Sequence, residues 1–304
     1  MTSLGSSMRF LVFPGLLFAI PAAWFLLWLE RKVVAILQRR YGPPFMQPFF
    51  DFVKLMSKSI VRRTGLSGFL MTLWPLLAVA SASGAVALLP ILPWKGGFAG
   101  DLILLIGLLE LPSMFLIVAG FSSRSIFGEI GSVREALLSI SYNVIFLMAI
   151  VMVAASQHTF RIEALANVDN SPLRWLAVVA ILICLPGKLH LNPFSLPNAE
   201  VEIYAGPLTE YAGAELALWE LAHGLEWVAA TGLVATLIVP QVGPFWLPPL
   251  LTLVAMVAVV LLLSFVVAAT ARVAMDSTMR FYSRCTVAFA ALAAMAVWWM
   301  GVRL

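Results

Sequence analysis

The sequence predicts an all-α, polytopic membrane protein with about eight transmembrane helices and one amphipathic helix at the cytoplasmic surface. The first observation is composition: 62% of the 304 residues are hydrophobic and 11% are charged, whereas about a quarter of the residues of a soluble protein are charged. The second is that apolar runs of about 20 residues, enough to cross a hydrocarbon core of about 30 Å, recur along the chain. They leave no room for a soluble domain, so we predict a single membrane domain over residues 1–304.

Each apolar run is assigned to one membrane span. The first begins near Phe10 and leads into charged residues 30–32 without a small-residue cleavage site, which predicts a retained helix and not a signal peptide. The fifth is short and ends at Pro186. The eight predicted spans cover about residues 10–29, 66–92, 100–120, 136–155, 173–187, 216–239, 246–269 and 285–302.

The basic residues predict the orientation of these spans. Of the 19 Lys and Arg residues, 14 lie in the loops that follow spans one, three, five and seven, at about residues 30–65, 121–135, 188–215 and 270–284. Loops rich in Lys and Arg stay in the cytoplasm. We therefore expect a multi-pass protein of the cell's inner (cytoplasmic) membrane, with both termini on the outer face. The net charge of +4 largely reflects this asymmetry and indicates neither nucleic acid nor an acidic substrate.

The first cytoplasmic loop contains a predicted amphipathic helix in the segment PFFDFVKLMSKSI. Its apolar residues recur at helical spacing: Phe49, Phe52, Val53, Met56 and Ile60. Its charged residues fall on the other side: Asp51, Lys54 and Lys58. Such a helix lies at the membrane surface or against a partner. An interfacial anchor and the floor of a site beneath a docked subunit are both open interpretations.

Two glutamates are predicted close to the membrane midplane. Glu110 stands about ten residues into the third span, with Pro112 just after it, and Glu226 stands about eleven residues into the sixth. An ionisable group at the bilayer centre costs on the order of 3 kcal/mol, so each requires a reason. We predict that they handle protons or another ion. The alternative is a glutamate neutralised by hydrogen bonds between packed helices.

One face of the sixth span carries several titratable groups. At 100° per residue, Glu215, His223 and Glu226 fall within an arc of about 80°, whereas Glu220 lies off it. Such a row suits a proton relay from the cytoplasmic end inward. For His223 alone, a packing role is the competing interpretation.

The entry to the fourth span offers a possible extension of this polar track, through these residues: Glu129, Arg134, Glu135, Tyr142 and Asn143. Ordinary loop and helix-end electrostatics explains them equally well.

The sequence gives no sign of a self-contained enzyme. There is no Ser/His/Asp set and no phosphate-binding glycine loop, and the three histidines have no chelating spacing. Cys184 and Cys285 have no CxxC partner, which excludes a cysteine-ligated cluster within this chain. We predict no catalytic residue, no metal site and no cofactor in this chain. No internal repeat is visible, which argues against an inverted-repeat transporter.

The most acidic stretch is NPFSLPNAEVEIYAGPLTEYAGAE, at residues 192–215. Its prolines and glycines end helix propagation after the fifth span and predict a folded loop at the cytoplasmic rim. Its acidic residues are Glu200, Glu202, Glu210 and Glu215. They extend the predicted ion path from this rim to the face of His223 and Glu226.

Three cytoplasmic segments resemble a known family: subunit 1 of respiratory complex I and its relatives in membrane-bound NiFe hydrogenases such as formate hydrogenlyase. ERKVVAILQRRYGPPFMQPFFDFVKLMSK resembles the family's first loop, and NPFSLPNAEVEIYAGPLTEYAG resembles its acidic loop. ARVAMDSTMRF resembles the last cytoplasmic loop. The matches occur in family order and span most of the chain, and GPLTEYAG is most similar to the hydrogenase branch.

The resemblance implies a membrane anchor beneath an iron–sulfur small subunit and a hydrogenase-like large subunit, with antiporter-like membrane subunits and lipid beside it. Iron–sulfur clusters and a NiFe site would belong to the partners. In complex I such a subunit forms much of the quinone tunnel and begins an acidic path. In the hydrogenase branch electrons go to protons or another acceptor in the docked subunits.

The resemblance also implies functional roles for individual residues of this chain that match the family's motifs. In the acidic loop they are Glu200, Glu202, Glu210 and Tyr211; for docking or cavity walls they are Arg31, Asp51, Lys54 and Asp276. The chain departs from the family pattern at Ser195, Asn198 and Val201, where the first two replace acidic residues.

These departures favour an ion-translocation coupling subunit of a hydrogenase-type complex. The quinone-site subunit of complex I is the first alternative. A stand-alone secondary transporter and a purely structural anchor are alternatives of other classes.

Overall fold

The computed structural model describes residues 16–60, 65–89, 100–157, 159–162, 172–197, 206–240, 244 and 246–299. Within these residues the chain forms α-helices and one short 3-10 turn, with no β-strand. The predicted all-α class is therefore confirmed for the part of the chain that is described.

Nine α-helices follow one another in the described ranges. They are α1 (Leu16–Leu37), α2 (Gln47–Ser57), α3 (Gly65–Leu88), α4 (Asp101–Ser122), α5 (Ile126–Ser156), α6 (Pro172–Lys188), α7 (Gly213–Ile238), α8 (Leu247–Ala269) and α9 (Met275–Trp299). The 3-10 turn Gly206–Leu208 precedes α7.

Five of these helices are long and apolar enough to cross a membrane: α3, α4, α5, α7 and α8. The chain is thus a membrane-embedded, polytopic protein. Helices α1, α6 and α9 coincide in order with predicted spans one, five and eight, yet within the described residues they do not meet the same criterion. The count of eight spans stays a prediction.

Helix α7 lies at the centre of the bundle. It packs against α1, α3 and α8 along its length, and also contacts α2, α4 and α6. In the apolar segment of α7 that is long enough to cross a membrane, 89% of the residues are buried within the protein. The corresponding share is 33–44% in the other four apolar helices. Small residues permit this close packing: a Cβ on Gly224 would lie 3.2 Å from Ala23 Cβ and Leu27 Cδ1. Glu215 and Glu226 of α7 are therefore buried among helices.

Three helices extend further than hydropathy predicts at the end that is predicted to be cytoplasmic. Helix α1 continues through Glu30 and Arg31 to Leu37, α5 begins at Ile126, and α9 begins at Met275. Charged residues outside the hydrocarbon core are compatible with helix, so a helix does not end where its apolar run ends. The predicted loops at 30–65, 121–135 and 270–284 are correspondingly shorter.

The amphipathic helix predicted in the first loop is present as α2, and its position at the cytoplasmic surface stays a prediction. Pro48 is buried and Phe52 and Leu55 are half-buried, together with Asp51. Four of the apolar residues that the pattern groups together are exposed in this chain, as a face turned to the membrane or to a partner would be: Phe49, Val53, Met56 and Ile60. Helix α2 packs on α7 and α1 through the face that contains Asp51, because that side chain finds partners there.

Candidate functional site

Lys188 is the centre of a buried cluster of charged side chains. It is the last residue of α6, and its side chain is 0% exposed. Its Nζ lies 2.9 Å from Glu110 Oε1 on α4 and 3.3 Å from Glu226 Oε1 on α7. Nζ also donates a hydrogen bond to the Leu109 carbonyl, at 2.9 Å. One cation therefore links the two glutamates that the sequence places near the midplane.

Aromatic rings enclose this ammonium group. Lys188 Nζ lies 5.8 Å from the ring centre of Tyr142 and 5.9 Å from that of Phe146, within the range of cation–π attraction. Gly187 makes room for the rings, because a Cβ there would lie 2.6 Å from Tyr282 Oη and 3.1 Å from Tyr142 Cδ1. Lys188 is thus fixed by packing as well as by charge.

His223 extends the cluster along α7. Its Nδ1 lies 3.9 Å from Glu226 Oε2, and Trp227 Nε1 donates to His223 Nε2 at 3.2 Å. Because the indole can only donate, Nε2 must present a lone pair, which leaves the ring proton on Nδ1, toward Glu226. Protonation of His223 at Nε2 therefore requires Trp227 to release its hydrogen bond.

His190 connects the cluster to α5. Its ring stacks on that of His223, with centroids 5.8 Å apart and planes at 5°. His190 Nε2 lies 2.9 Å from Glu135 Oε2, and Ser139 Oγ donates to Glu135 Oε1 at 3.2 Å. Burial by itself lowers the pKa of His190, but the Glu135 carboxylate outweighs burial and raises that pKa above its ordinary value.

The backbone at His190 is held in an unusual conformation. Its φ is +53°, in the left-handed region that a helix-ending residue adopts and that glycine normally occupies. Leu191 N–H bonds to the Pro186 carbonyl at 2.8 Å, and His190 N–H to that of Gly187 at 3.3 Å. This is a Schellman ending of α6. A histidine there carries strain of about 1 kcal/mol or more, which indicates a use for its side chain.

The charges of the cluster do not balance without the histidines. The cluster contains three carboxylates, those of Glu110, Glu135 and Glu226, and one lysine. His190 and His223 lie beside these carboxylates, and an imidazole is a group that can carry a positive charge.

A small cavity borders the histidines and Glu226. Its volume is about 80 Å³, and its walls include Pro112, Ser113 and Glu220. This gives room for a few water molecules, since one needs roughly 10–15 Å³ of cavity. Glu220, predicted to lie off the acidic face, is exposed on α7 and also lines this cavity.

The remaining predicted path residues are distributed differently. Glu215 is buried and accepts a hydrogen bond from Thr72 Oγ1 at 2.7 Å, so it faces α3 and not His223. Glu210 follows the 3-10 turn, and Tyr211 is buried edge-to-face against Trp219, with ring centres 5.9 Å apart. Glu200 and Glu202 lie outside the described residues.

A second cavity, of about 240 Å³, lies between α1, α2 and α7. The predicted docking residues Arg31, Asp51 and Lys54 line it, and Arg31 Nη1 lies 3.6 Å from Asp51 Oδ2. Glu220 lines this cavity as well as the smaller one, so it stands between the two. Asp276 is elsewhere, exposed in the first turn of α9.

Sequence reasoning missed Lys188 and His190 as members of the site. The charge pattern marks Lys188 only as a basic loop residue, although a lysine directly after an apolar helix and Pro186-Gly187 could have been paired with Glu110 as its counterion. His190 gives no signal, because stacking on His223 depends on how α6 ends. The described residues contain no group of three His, Cys, Asp or Glu side chains placed to hold a metal ion.

Comparison with known proteins gives one consistent family. The family model described as NADH dehydrogenase matches residues 10–298. Hydrogenase-4 component C of Escherichia coli (strain K12) is 33% identical over 259 residues, covering 80% of each chain.

Two further similarities agree with this match. A subunit of the NADH-quinone oxidoreductase of Salinibacter ruber (strain DSM 13855 / M31) is 30% identical over 255 residues, covering 78% of this chain and 72% of the relative. A chain in the structure of the membrane-bound sulfane sulfur reductase, an archaeal respiratory membrane complex, superposes with a TM-score of 0.86 at 27% identity, covering 96% of this chain and 99% of that chain.

Proposed function

This chain belongs to the NADH dehydrogenase subunit 1 family, and on that premise we propose that it couples electron transfer to ion movement within a hydrogenase-type membrane complex. It is a membrane subunit of a complex I-like assembly. Electron transfer would take place in docked partners, and H⁺ or Na⁺ would move through this chain and its membrane neighbours. The chain would be non-catalytic by itself.

The proposed partners follow from the family and from the exposed cytoplasmic surfaces. They are an iron–sulfur small subunit, a hydrogenase-like large subunit, antiporter-like membrane subunits and lipid. The iron–sulfur clusters and a NiFe site would lie in those subunits. The proposed location is the inner membrane, with both termini outside and the acidic loop in the cytoplasm, as the distribution of Lys and Arg favours.

The observation that carries the proposal is the continuous row of ionisable side chains across the bundle. Glu110 contacts Lys188, Lys188 contacts Glu226, and Glu226 approaches His223. The row continues through the stacked histidines to Glu135. Distances of 2.9–3.9 Å separate the ion-paired groups, and the two histidine rings stack with centroids 5.8 Å apart. A change in charge at one end therefore alters the electrostatic energy of its neighbours in the row.

The chemistry of this row is proton storage and exchange. A proton that enters from the cavity beside Glu220 can reside on His223 or Glu226, and Lys188 then repartitions its ion pair between Glu110 and Glu226. The buried setting makes each such change large, since charges interact more strongly where water is excluded. Midplane carboxylates with partners are typical of proton paths in membranes.

The hydrogenase branch is favoured over a quinone-type site by the loop after α6. Ser195, at a position where the family pattern has an acid, donates to Asn192 Oδ1 at 2.6 Å and accepts from Arg272 Nε at 3.1 Å. The position serves to fix the loop to the segment before α9. The cavity beside α2 also has a volume of 240 Å³, below the roughly 300–1,000 Å³ of typical small-molecule pockets. A quinone-site subunit of complex I remains the second proposal, because relatives named as quinone oxidoreductase subunits match most of the chain.

The test is ion transport by vesicles that contain the complete complex. Glu110→Gln and Glu226→Gln should each lower the number of ions moved per electron at least about tenfold, because a neutral amide can no longer exchange a proton. Electron transfer with an artificial acceptor and subunit composition should be retained. Glu129→Gln, an exposed carboxylate on α5, is the matched control and should transport normally.

Unchanged coupling in both cluster variants would contradict the relay. The same preparation tests the partners: an iron–sulfur subunit should accompany the chain through detergent purification. A chain that is isolated alone as a stable monomer and transports ions would support a stand-alone transporter instead.

A further inference from the structure

We propose that this chain binds one anionic glycerophospholipid in a crevice between α6, α8 and α9. The acyl chains would lie between the helices and the phosphate would meet Arg280 and Arg284. The site is separate from the buried charge cluster, and the proposal is independent of which ion the complex moves.

The crevice is large and open to the outside of the helix bundle. Its volume is about 950 Å³, near the upper end of the roughly 300–1,000 Å³ of pockets that hold small molecules. It exists because α8 packs on α1 and α7, whereas α9 packs on α5 and α6, so the two helices diverge. An opening of this kind on the hydrocarbon side of a membrane protein must be filled by apolar groups.

Most of the crevice wall is hydrocarbon. Val179 and Ile183 of α6 face Leu262 and Val266 of α8 across it, and Phe281 of α9 closes the third side. Val179 and Leu262 are about half exposed in the isolated chain, at 53% and 48%. These surfaces match flexible alkyl chains.

One end of the crevice is basic. Arg280 and Arg284 line it, and no described carboxylate does. Among the described residues neither arginine forms an ion pair with an acid, and Arg280 donates hydrogen bonds to the Asp276 carbonyl and to Ser277 Oγ. They lie one helical turn apart on α9, so both guanidinium groups can approach one phosphate.

The segment between α8 and α9 fixes this basic end in place. Val273 N–H donates to the Pro193 carbonyl at 2.9 Å, and Arg272 Nε donates to Ser195 Oγ at 3.1 Å. The headgroup end therefore lies beside the loop that follows α6, at the end of α9 opposite Trp299. Apolar walls with a basic rim at the headgroup level are the complement of an anionic phospholipid.

A neighbouring membrane helix is a weaker fit. A helix seated here would have to bring an acidic residue to the level of Arg280 and Arg284, or leave two guanidinium groups without a partner at its edge. A lipid phosphate supplies the negative charge at that depth without further requirement.

The experiment is native mass spectrometry of the detergent-extracted complex after addition of matched lipids. Phosphatidylglycerol should be retained on this chain in preference to phosphatidylcholine with the same acyl chains. The double variant Arg280→Gln/Arg284→Gln should lose at least about tenfold in phosphatidylglycerol affinity, since each basic residue at a membrane surface contributes about a fivefold factor. Arg40→Gln, an exposed arginine remote from the crevice, is the control and should bind as the unmodified protein does.

Two further measurements locate the site and show whether the bound phosphate belongs to a lipid or to a soluble molecule. Val266→Phe narrows the crevice while keeping both arginines, so it should also weaken phosphatidylglycerol binding. Glycerol 3-phosphate should neither bind nor compete, because it lacks the alkyl chains. Equal retention of both lipids by the unmodified complex, or undiminished phosphatidylglycerol binding in the double variant, would overturn the proposal. So would a partner helix occupying the crevice in the purified complex.

Discussion

At the scale of single residues, His190 combines a strained backbone, burial and a carboxylate partner. Its pKa is raised by Glu135, so the ion pair stabilises the protein fully below about pH 6.5. That stabilisation is lost as the pH rises through the pKa of the folded state. Glu226, Lys188 and His223 also face this ring and contribute to where the loss falls.

His190→Asn separates the titration from the backbone, because asparagine tolerates a positive φ but has no titratable group. The difference in melting temperature between the unmodified complex and this variant should be greatest near pH 6 and should shrink as the pH is raised. Differential scanning fluorimetry in detergent at several pH values measures it. Glu135→Gln should give the same pH dependence as His190→Asn. If the melting temperatures of the unmodified and variant proteins changed with pH in the same way, the ion pair would contribute nothing to stability.

Lys188 is the residue on which the buried carboxylates depend. Lys188→Met keeps the length of the side chain but leaves Glu110 and Glu226 without a cation. Breaking a buried ion pair on one side costs on the order of 3–5 kcal/mol. We expect a large fall in melting temperature and in the yield of assembled complex.

A rescue experiment distinguishes lost charge pairing from lost packing. Adding Glu110→Gln and Glu226→Gln to Lys188→Met removes the unpaired charges, so much of the stability should return, while ion transport stays absent. If the triple variant were as unstable as Lys188→Met, the packing of Lys188 against Tyr142 and Phe146 would be its main contribution.

At the scale of helices, close backbone contacts position the cluster. Helix α5, which carries Glu135, approaches the 3-10 turn Gly206–Leu208 at Gly131. A Cβ on Gly131 would lie 2.5 Å from Pro207 Cδ and 2.8 Å from Gly206 Cα, and backbone cannot yield as a flexible side chain does.

Gly131→Ala should therefore destabilise the protein by about 1–3 kcal/mol through overpacking. Gly107→Ala on α4 is the matched control, since a Cβ there meets nothing within 4 Å and alanine favours helix. Chemical denaturation or heating of the two variants in the same detergent measures the contrast. Equal stability would mean that α5 and the turn can separate without cost.

The sequence predicted helices better than it predicted helix faces and ends. Apolar runs of about 20 residues identify helices such as α3 and α4 to within a few residues, because length and hydropathy are local properties. The inward face of α2 depends instead on the partners of Asp51, which come from Gln47 and from α1. Nor does hydropathy predict the entry of α5, since charged residues outside the hydrocarbon core continue the helix.

The candidate site was predicted in part for the same reason. Glu110 and Glu226 could be identified individually, because a charge within an apolar run is visible in sequence. Their meeting at Lys188 could not, since three helices distant in sequence converge there. The stacking of His190 on His223 likewise depends on the tertiary position of the end of α6.

At the scale of the whole molecule, α7 organises the protein around its polar residues. Six helices, α1, α2, α3, α4, α6 and α8, pack on α7, and its residues Glu215 and Glu226 are buried among them. Glu220 of α7 lines both the small cavity beside the charge cluster and the cavity beside α2. The apolar crevice is separate and lies between α6, α8 and α9. A short α6 is required for this arrangement, because its end must place Lys188 inside the bundle.

Whether α6 crosses the membrane decides the topology, and this can be tested directly. At 17 residues it measures about 26 Å, slightly less than a hydrocarbon core of about 30 Å. Between exposed Tyr41 and exposed Trp246 lie the amphipathic helix α2 and five longer helices, α3, α4, α5, α6 and α7. If all five longer helices cross the membrane, the two residues are on opposite sides; if α6 enters without crossing, they are on the same side.

Single-cysteine variants Tyr41→Cys and Trp246→Cys, with Cys184 and Cys285 replaced by serine, distinguish these cases. A membrane-impermeant maleimide should label Tyr41→Cys only in inside-out vesicles, which expose the cytoplasmic face. It should label Trp246→Cys only in spheroplasts, which expose the outer face. Opposite labelling fits the eight-span topology, in which the basic loops are cytoplasmic. Labelling of both from one side would mean that α6 turns back within the membrane, and the charge cluster at Lys188 would then lie at the tip of a re-entrant helix.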